Sequence, residues 1–170
     1  ASTCGARLFA LIDYEAEIDN APGALDLKIT NGTLRLENVS FAYAGDTTRQ
    51  AVSGINFEAH RGETIGIMGP SGSGKTTLMH LIPRFYDPEH GFISIDGQNI
   101  RDATLSSVRQ AVAVVQQDSF LFTTSIENNI AYADPFTETR QIRDVAESAQ
   151  LHDYILGLPG KYGTIVGERG

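Results

Sequence analysis

The chain has 170 residues, 41% of them hydrophobic and 20% charged, with a formal net charge of −8. That is enough for one folded, soluble domain with a core of its own; the acidic balance argues against nucleic acid, which rewards an excess of Lys and Arg. No apolar run nears the roughly 18 residues of a membrane span, no cleavable signal opens the chain, and the single Cys4 excludes an internal disulfide or a cysteine metal cage and suits the cytosol.

From the N-terminus, Leu8, Leu11 and Ile12 have the spacing of an amphipathic helix within Cys4–Glu15. This segment also holds an apolar run ending in an acid, Leu8 to Asp13, but the helical spacing favours a helix over a metal-site strand. Pro22, Gly23, Asn31 and Gly32 then mark a linker or irregular connection. Period-two alternation through Leu34 and Leu36, resumed at Val39, Phe41 and Tyr43, predicts a half-buried strand with an irregularity near Asn38. Residues 51–59 read as its antiparallel partner. "ETIGIMG" (63–69) reads as a short buried strand, followed by a helix from Gly74 to about Ile82, stopped by Pro83. Residues 91–100 read as strand and turn, so the acid in "FISID", Asp96, belongs to a β-turn with Gly97. "TLSSVRQ" reads as a short helix capped by Thr104. "AVAVVQQ" (111–117) reads as a buried strand of the parallel-sheet kind, and two helical stretches flank Pro135. Antiparallel strands followed by β-α-β units predict an α/β domain with an added antiparallel sheet.

Gly69-Pro-Ser-Gly-Ser-Gly-Lys-Thr76 satisfies G-x-x-x-x-G-K-[ST] between a predicted strand and a predicted helix. Glycines allow successive backbone N–H groups to turn inward as an anion nest at a helix N-terminus. Lys75 brings a point charge to the β- and γ-phosphates of a nucleotide, and the Thr76 hydroxyl is a ligand for Mg²⁺. His80, on the predicted helix, reads as a packed helix residue.

With these motifs in this order, residues from about Leu34 to Gly170 resemble the N-terminal part of the nucleotide-binding domain of an ATP-binding-cassette (ABC) transporter, exporter type. "VSFAY" is similar to the family's aromatic A-loop, "VVQQDSFLF" to its Q-loop, and "TIVGERG" to the exporter stretch that precedes the LSGGQ signature. The resemblance implies a P-loop NTPase-like parallel core with an added antiparallel β-subdomain, incomplete here. It assigns ATP or ADP to Tyr43, as the ring stacked on adenine, and to Gly69, Pro70, Ser71, Gly72, Ser73, Gly74, Lys75, Thr76 and Thr77. Mg²⁺ falls to Thr76 and Gln117. Glu168 and Arg169 are assigned to communication between subunits.

On the same resemblance, residues 1–31 are the lead-in from a membrane domain and residues 32–170 a partial nucleotide-binding domain. The implied partners are a second nucleotide-binding domain, head to tail, and a transmembrane domain met by the region after Gln117, where Phe120, Leu121 and Phe122 either offer an apolar docking patch or fill the local core. The parent would be an integral membrane protein with this part at the cytoplasmic face. The signature, the acid-bearing strand, the catalytic glutamate and the switch histidine are expected beyond Gly170, so the expectation for this chain is Mg-ATP or ADP binding without turnover. The competing readings are a soluble, non-transport cassette ATPase and a non-catalytic nucleotide-binding or interaction module.

Overall fold

The computed structural model describes Phe9 and residues 16–43, 50–117 and 120–167. The predicted N-terminal helix, apart from Phe9, lies outside these residues, as do Glu168 and Arg169. The chain divides into two compact units, residues 1–114 and 115–170.

The first unit is built on a four-stranded antiparallel sheet in the order β2-β1-β3-β4, with β1 Leu34–Phe41, β2 Val52–Ala59, β3 His90–Ile95 and β4 Gln98–Asn99. The expected irregularity in β1 is a register shift between Leu36 and Val39, with Asn38 in the left-handed region at φ 48°. A one-residue shift in a period-two element exchanges faces, so Leu36 before the bulge and Val39 and Phe41 after it all reach the core. Asn38 N–H, out of the ladder there, donates to Asn56 Oδ1 at 2.8 Å.

Between β3 and β4, Asp96 and Gly97 have φ of 49° and 77°, the two left-handed residues of a type I′ hairpin turn. Asp96 does more than turn the chain. Its carboxylate accepts backbone N–H groups from Thr30 (2.6 Å), Asn31 (2.9 Å), Gly32 (3.1 Å) and Thr33 (2.8 Å). The amides of Thr30, Thr33 and Gly32 foremost hold that carboxyl well below the usual carboxylate range.

Helix α1, Lys75–Leu81, lays Thr77, Leu78 and Leu81 against the sheet and ends before Pro83. Helix α2, Leu105–Ala111, contributes Val108 and is capped by Thr104, whose side chain accepts from Ser107 N–H. The core joins Leu36, Val39, Phe41, Val52, Ile93 and Ile95 of the sheet to Leu78 and Leu81 of α1 and to Ile100, Ala103 and Val108. Residues 16–33 contain no helix or multi-residue strand, yet they are fastened along their length. Leu25 bridges to Ala103, Leu27 N–H donates to Ser107 Oγ at 2.9 Å, and Lys28 exchanges two hydrogen bonds with Gln98.

Two strand expectations are corrected. Residues 63–69 and 112–117 carry no ladder, and although Val112 packs half-buried against the core, Met68 and Val115 are each 94% exposed. A short apolar run reports what a neighbouring strand would bury; it supplies no neighbour. Parallel strands draw their hydrogen bonds and burial from both sides, and neither segment is paired among the described residues.

In the second unit, α3 is Ile126–Ile130, α4 Thr139–Ser148 and α5 His152–Gly157. Ser125 caps α3 by accepting from Asn128 N–H, and Glu138 with Gln141 forms a capping box on α4. The helical run predicted after Pro135 is split, because Gln150 is left-handed (φ 57°) and Leu151 N–H turns back to Ala146 C=O. Ile142, Ala146 and Ile155 are its buried apolar residues, and a bridge between Ser125 and Ile165 ties the end of the described chain to the start of α3.

Candidate functional site

The loop Gly69–Ser73 is exposed and leads directly into α1. Gly74 is the residue on which it turns. Its φ of 85° is left-handed, and a Cβ there would run into the carbonyl oxygen of Ala51 and the Val52 side chain. Only glycine meets both conditions, so the last glycine of the motif is required by geometry as well as by pattern. Gly72 is also left-handed, at φ 79°, but faces open space. No side chain caps α1, which leaves the amides of its first turn without a local side-chain acceptor at the end where the helix dipole is positive.

The Lys75 ammonium folds back over this loop, donating to Gly69 C=O at 2.8 Å, Pro70 C=O at 2.7 Å and, longer, Ser73 Oγ at 3.4 Å. These acceptors are neutral and solvent-facing. Thr76 is exposed, whereas Thr77 turns inward and is 6% exposed. The donor set therefore fits a polyphosphate: first-turn amides with no side-chain cap, an ammonium group on neutral oxygens and accessible hydroxyls. Among the described residues no group of three or more His, Cys, Asp or Glu is placed to hold a metal ion.

Tyr43 stands two residues beyond Phe41, at the end of β1, and is 40% exposed. Its ring meets Phe41 at 5.0 Å and 84° and Tyr86 at 5.3 Å and 87°, both near-perpendicular contacts of the kind aromatic quadrupoles favour. Its hydroxyl lies 3.1 Å from Thr77 Oγ1. The structure thus brings Tyr43 and the loop-helix element together in the first unit. His80, on α1, packs near Phe85 and Tyr86. Gln117 is exposed in the second unit, and its neighbours Asp118 and Ser119 lie outside the described residues.

Phe120, Leu121 and Phe122 also belong to the second unit, and none of the three is buried. Phe122 stacks on Tyr132 at 4.3 Å and 19°, and Phe120 meets Phe122 edge-on at 5.2 Å. With exposures of 61%, 40% and 64%, Phe120, Phe122 and Tyr132 form an aromatic surface cluster, to which sequence reasoning had not assigned Tyr132.

Sequence reasoning also missed Arg84 and Tyr86. Arg84 is 3% exposed, with φ 56°. Its guanidinium donates to both oxygens of Asp87 (2.8 and 3.2 Å) and to the carbonyls of Asp19, Ile100 and Ala103 at 3.1–3.4 Å. Arg84 therefore joins the end of α1 to the lead-in and to the segment before α2. The one available signal was an Arg and an Asp three apart just after the helix-stopping proline.

A family profile described as ABC transporter matches residues 52–163. Over 164 residues the chain is 44% identical to the heavy metal tolerance protein of Schizosaccharomyces pombe, covering 96% of this chain and 20% of that protein. Over 170 residues it is 39% identical to an uncharacterized ABC transporter ATP-binding protein of Bacillus subtilis, covering 100% of this chain and 29% of that one. Among solved structures, a bacterial Atm1-family ABC exporter with ATP bound matches at a TM-score of 0.87 and 41% identity, over 97% of this chain and 28% of the exporter chain. The chain thus spans 20–29% of the length of these relatives.

Proposed function

The chain belongs to the ABC transporter family, and on that premise we propose that it is the nucleotide-holding part of an exporter motor, binding Mg-ATP or Mg-ADP at Gly69–Thr77. The observation that carries this reading is the pairing of a left-handed Gly74, wedged against Ala51, with the Lys75 ammonium gathered over the loop. An incoming phosphate offers that ammonium charged oxygens in place of neutral carbonyls, and charge-assisted hydrogen bonds are roughly twice as strong as neutral ones. The amides at the start of α1 take the remaining phosphate oxygens. Tyr43 stacks on the base. Thr76 holds the Mg²⁺, which would neutralise phosphate charge; the part of Gln117 in its shell follows from the family resemblance.

The parent protein's activity is ATP hydrolysis coupled to transport, at the cytoplasmic face of a membrane. Among the described residues no helix is long and apolar enough to cross one; a transmembrane domain is the partner that the family resemblance implies. The aromatic cluster of Phe120, Phe122 and Tyr132 is the surface we assign to that domain. These 170 residues are proposed, on the family resemblance, to hold the nucleotide without cutting it. A second nucleotide-binding domain, placed head to tail, would complete the site.

Calorimetry with Mg-ATP, together with a phosphate-release assay on the same chain, tests this. Binding that Lys75→Ala weakens ~10–100-fold, the scale of a hydrogen bond to a charged group, is expected, with no turnover. Folded chain that binds no nucleotide would overturn the assignment; turnover that depends on Lys75 would overturn the division between holding and cutting.

A further inference from the structure

Thr77 occupies the core-facing side of α1, with Leu78 and Leu81, and is almost completely buried. A hydroxyl on such a face needs a partner, and this one meets the Tyr43 hydroxyl at 3.1 Å. Tyr43 itself sits past the end of β1, where no ladder holds it, and 40% of it is exposed. Left to itself, a tyrosine there would exchange rotamers, and any ligand stacking on it would bear the cost of ordering the ring. Three contacts remove that freedom: the perpendicular approaches of Phe41 and Tyr86 fix the ring plane, and the hydroxyl contact fixes its tip.

We propose that Thr77 is a positioning residue for base recognition: its buried hydroxyl, with Tyr86 as buttress, pre-orders the Tyr43 ring and so links the base-binding side of the site to the phosphate-binding helix. The inference rests on the reading of Tyr43 as the base-stacking ring. It deepens that reading by naming the side chain through which α1 fixes the ring, and it makes ATP affinity relative to bare polyphosphate depend on a hydroxyl that need not touch the base.

The test compares two probes on the 170-residue chain by calorimetry, Mg-ATP and inorganic tripolyphosphate with Mg²⁺. Tyr43→Phe keeps the ring and removes the hydroxyl; Thr77→Val removes the other partner; Thr77→Ser restores it. Loss of one net hydrogen bond corresponds to about 3–10-fold. Tyr43→Phe and Thr77→Val are each expected to weaken ATP by about that factor relative to tripolyphosphate. The double variant should be no weaker than either single one, because both remove the same contact. Thr77→Ser should bind as the parent does.

Parent-like ATP affinity in Tyr43→Phe and Thr77→Val would overturn the inference. So would equal losses for ATP and tripolyphosphate, which would place Thr77 on the phosphates alone, or additive losses in the double variant. Tyr43→Ala separates the two levels of the argument. If it leaves the ratio of ATP to tripolyphosphate affinity unchanged, base stacking by Tyr43 fails and the positioning role falls with it. If it lowers the ratio about tenfold, on the scale of a lost stacking contact, while Tyr43→Phe does not lower it, only the positioning role fails.

Discussion

Replacing Arg84 with alanine tests the first unit at a point where one side chain joins three segments. The side chain is 4% exposed and that of its partner Asp87 18%, so both charges are largely withdrawn from water. Alanine removes a two-pronged bond to Asp87 and leaves three carbonyls, of Asp19, Ile100 and Ala103, without this donor. Arg101, 3.6 Å from Asp87 and half exposed, is a weak substitute for the lost charge. Breaking a buried pair by removing one partner costs about 3–5 kcal/mol, most of it from the charge left behind. With a urea slope of about 2 kcal/mol per molar, the unfolding midpoint should fall by about 1.5–2.5 M.

Far-UV circular dichroism in urea reads that shift directly, and the slope should stay constant. Arg84→Lys keeps the charge but loses the planar fork that spans both Asp87 oxygens and the carbonyls, so its loss should be intermediate. Because Arg84 and Asp87 act together, Arg84→Ala with Asp87→Ala should destabilise by less than the sum of the two, with a coupling of about 2–3 kcal/mol. A loss below 1 kcal/mol for Arg84→Ala, or strict additivity with Asp87→Ala, would show that the lead-in and α1 are not held through this guanidinium.

Three further outcomes follow from single contacts. Gly74→Ala sets a side chain at φ 85° against the Ala51 carbonyl; it should cost at least ~1–2 kcal/mol in a urea melt and abolish Mg-ATP binding in the same preparation. Asp96→Asn should destabilise at neutral pH, since the carboxylate accepts from the amides of residues 30–33. With its folded-state pKa lowered, that contribution is complete above the unfolded value of about 4 and is lost as pH falls through the folded one. The gap in urea midpoint between parent and variant should therefore narrow below about pH 4, and a gap that widens there would reverse the assignment. Thr104→Ala removes the α2 cap and the 2.6 Å bond to Asp26, and should cost at least ~1 kcal/mol by the same melt.

What could be read from the sequence was what local chemistry decides. The Gly69–Thr76 loop, the Asp96-Gly97 turn, the Thr104 cap and the stop at Pro83 each depend on residues within a few positions of one another. Even the irregularity near Asn38 was legible, because the alternation changes parity within one strand. Arg84 was not. Its carbonyl partners lie at Asp19, Ile100 and Ala103, positions that no periodicity connects, and only the folded chain brings them together. The clamp of Asp96 on residues 30–33 escaped for the same reason: turn chemistry accounted for the aspartate's backbone and said nothing of its carboxylate.

The two segments that did not become strands follow the same logic in reverse. Residues 63–69 and 111–117 are apolar, β-branched and bounded as buried parallel strands are, and by composition they rank with β1. What separates them from β1 is pairing. Leu34–Phe41 finds β2 on one edge and β3 on the other, and so buries Leu36 and Val39 almost completely. Met68 and Val115 have the same appetite for burial and remain in water. Intrinsic strand preference amounts to fitting a pleated, half-buried surface, so it has no value until a neighbour makes that surface. The loop that follows residues 63–69 nevertheless keeps its form, because Gly74 is braced by Ala51 and Val52 and α1 is anchored by Leu78 and Leu81. The turn into α1 is thus braced from the antiparallel side of the core.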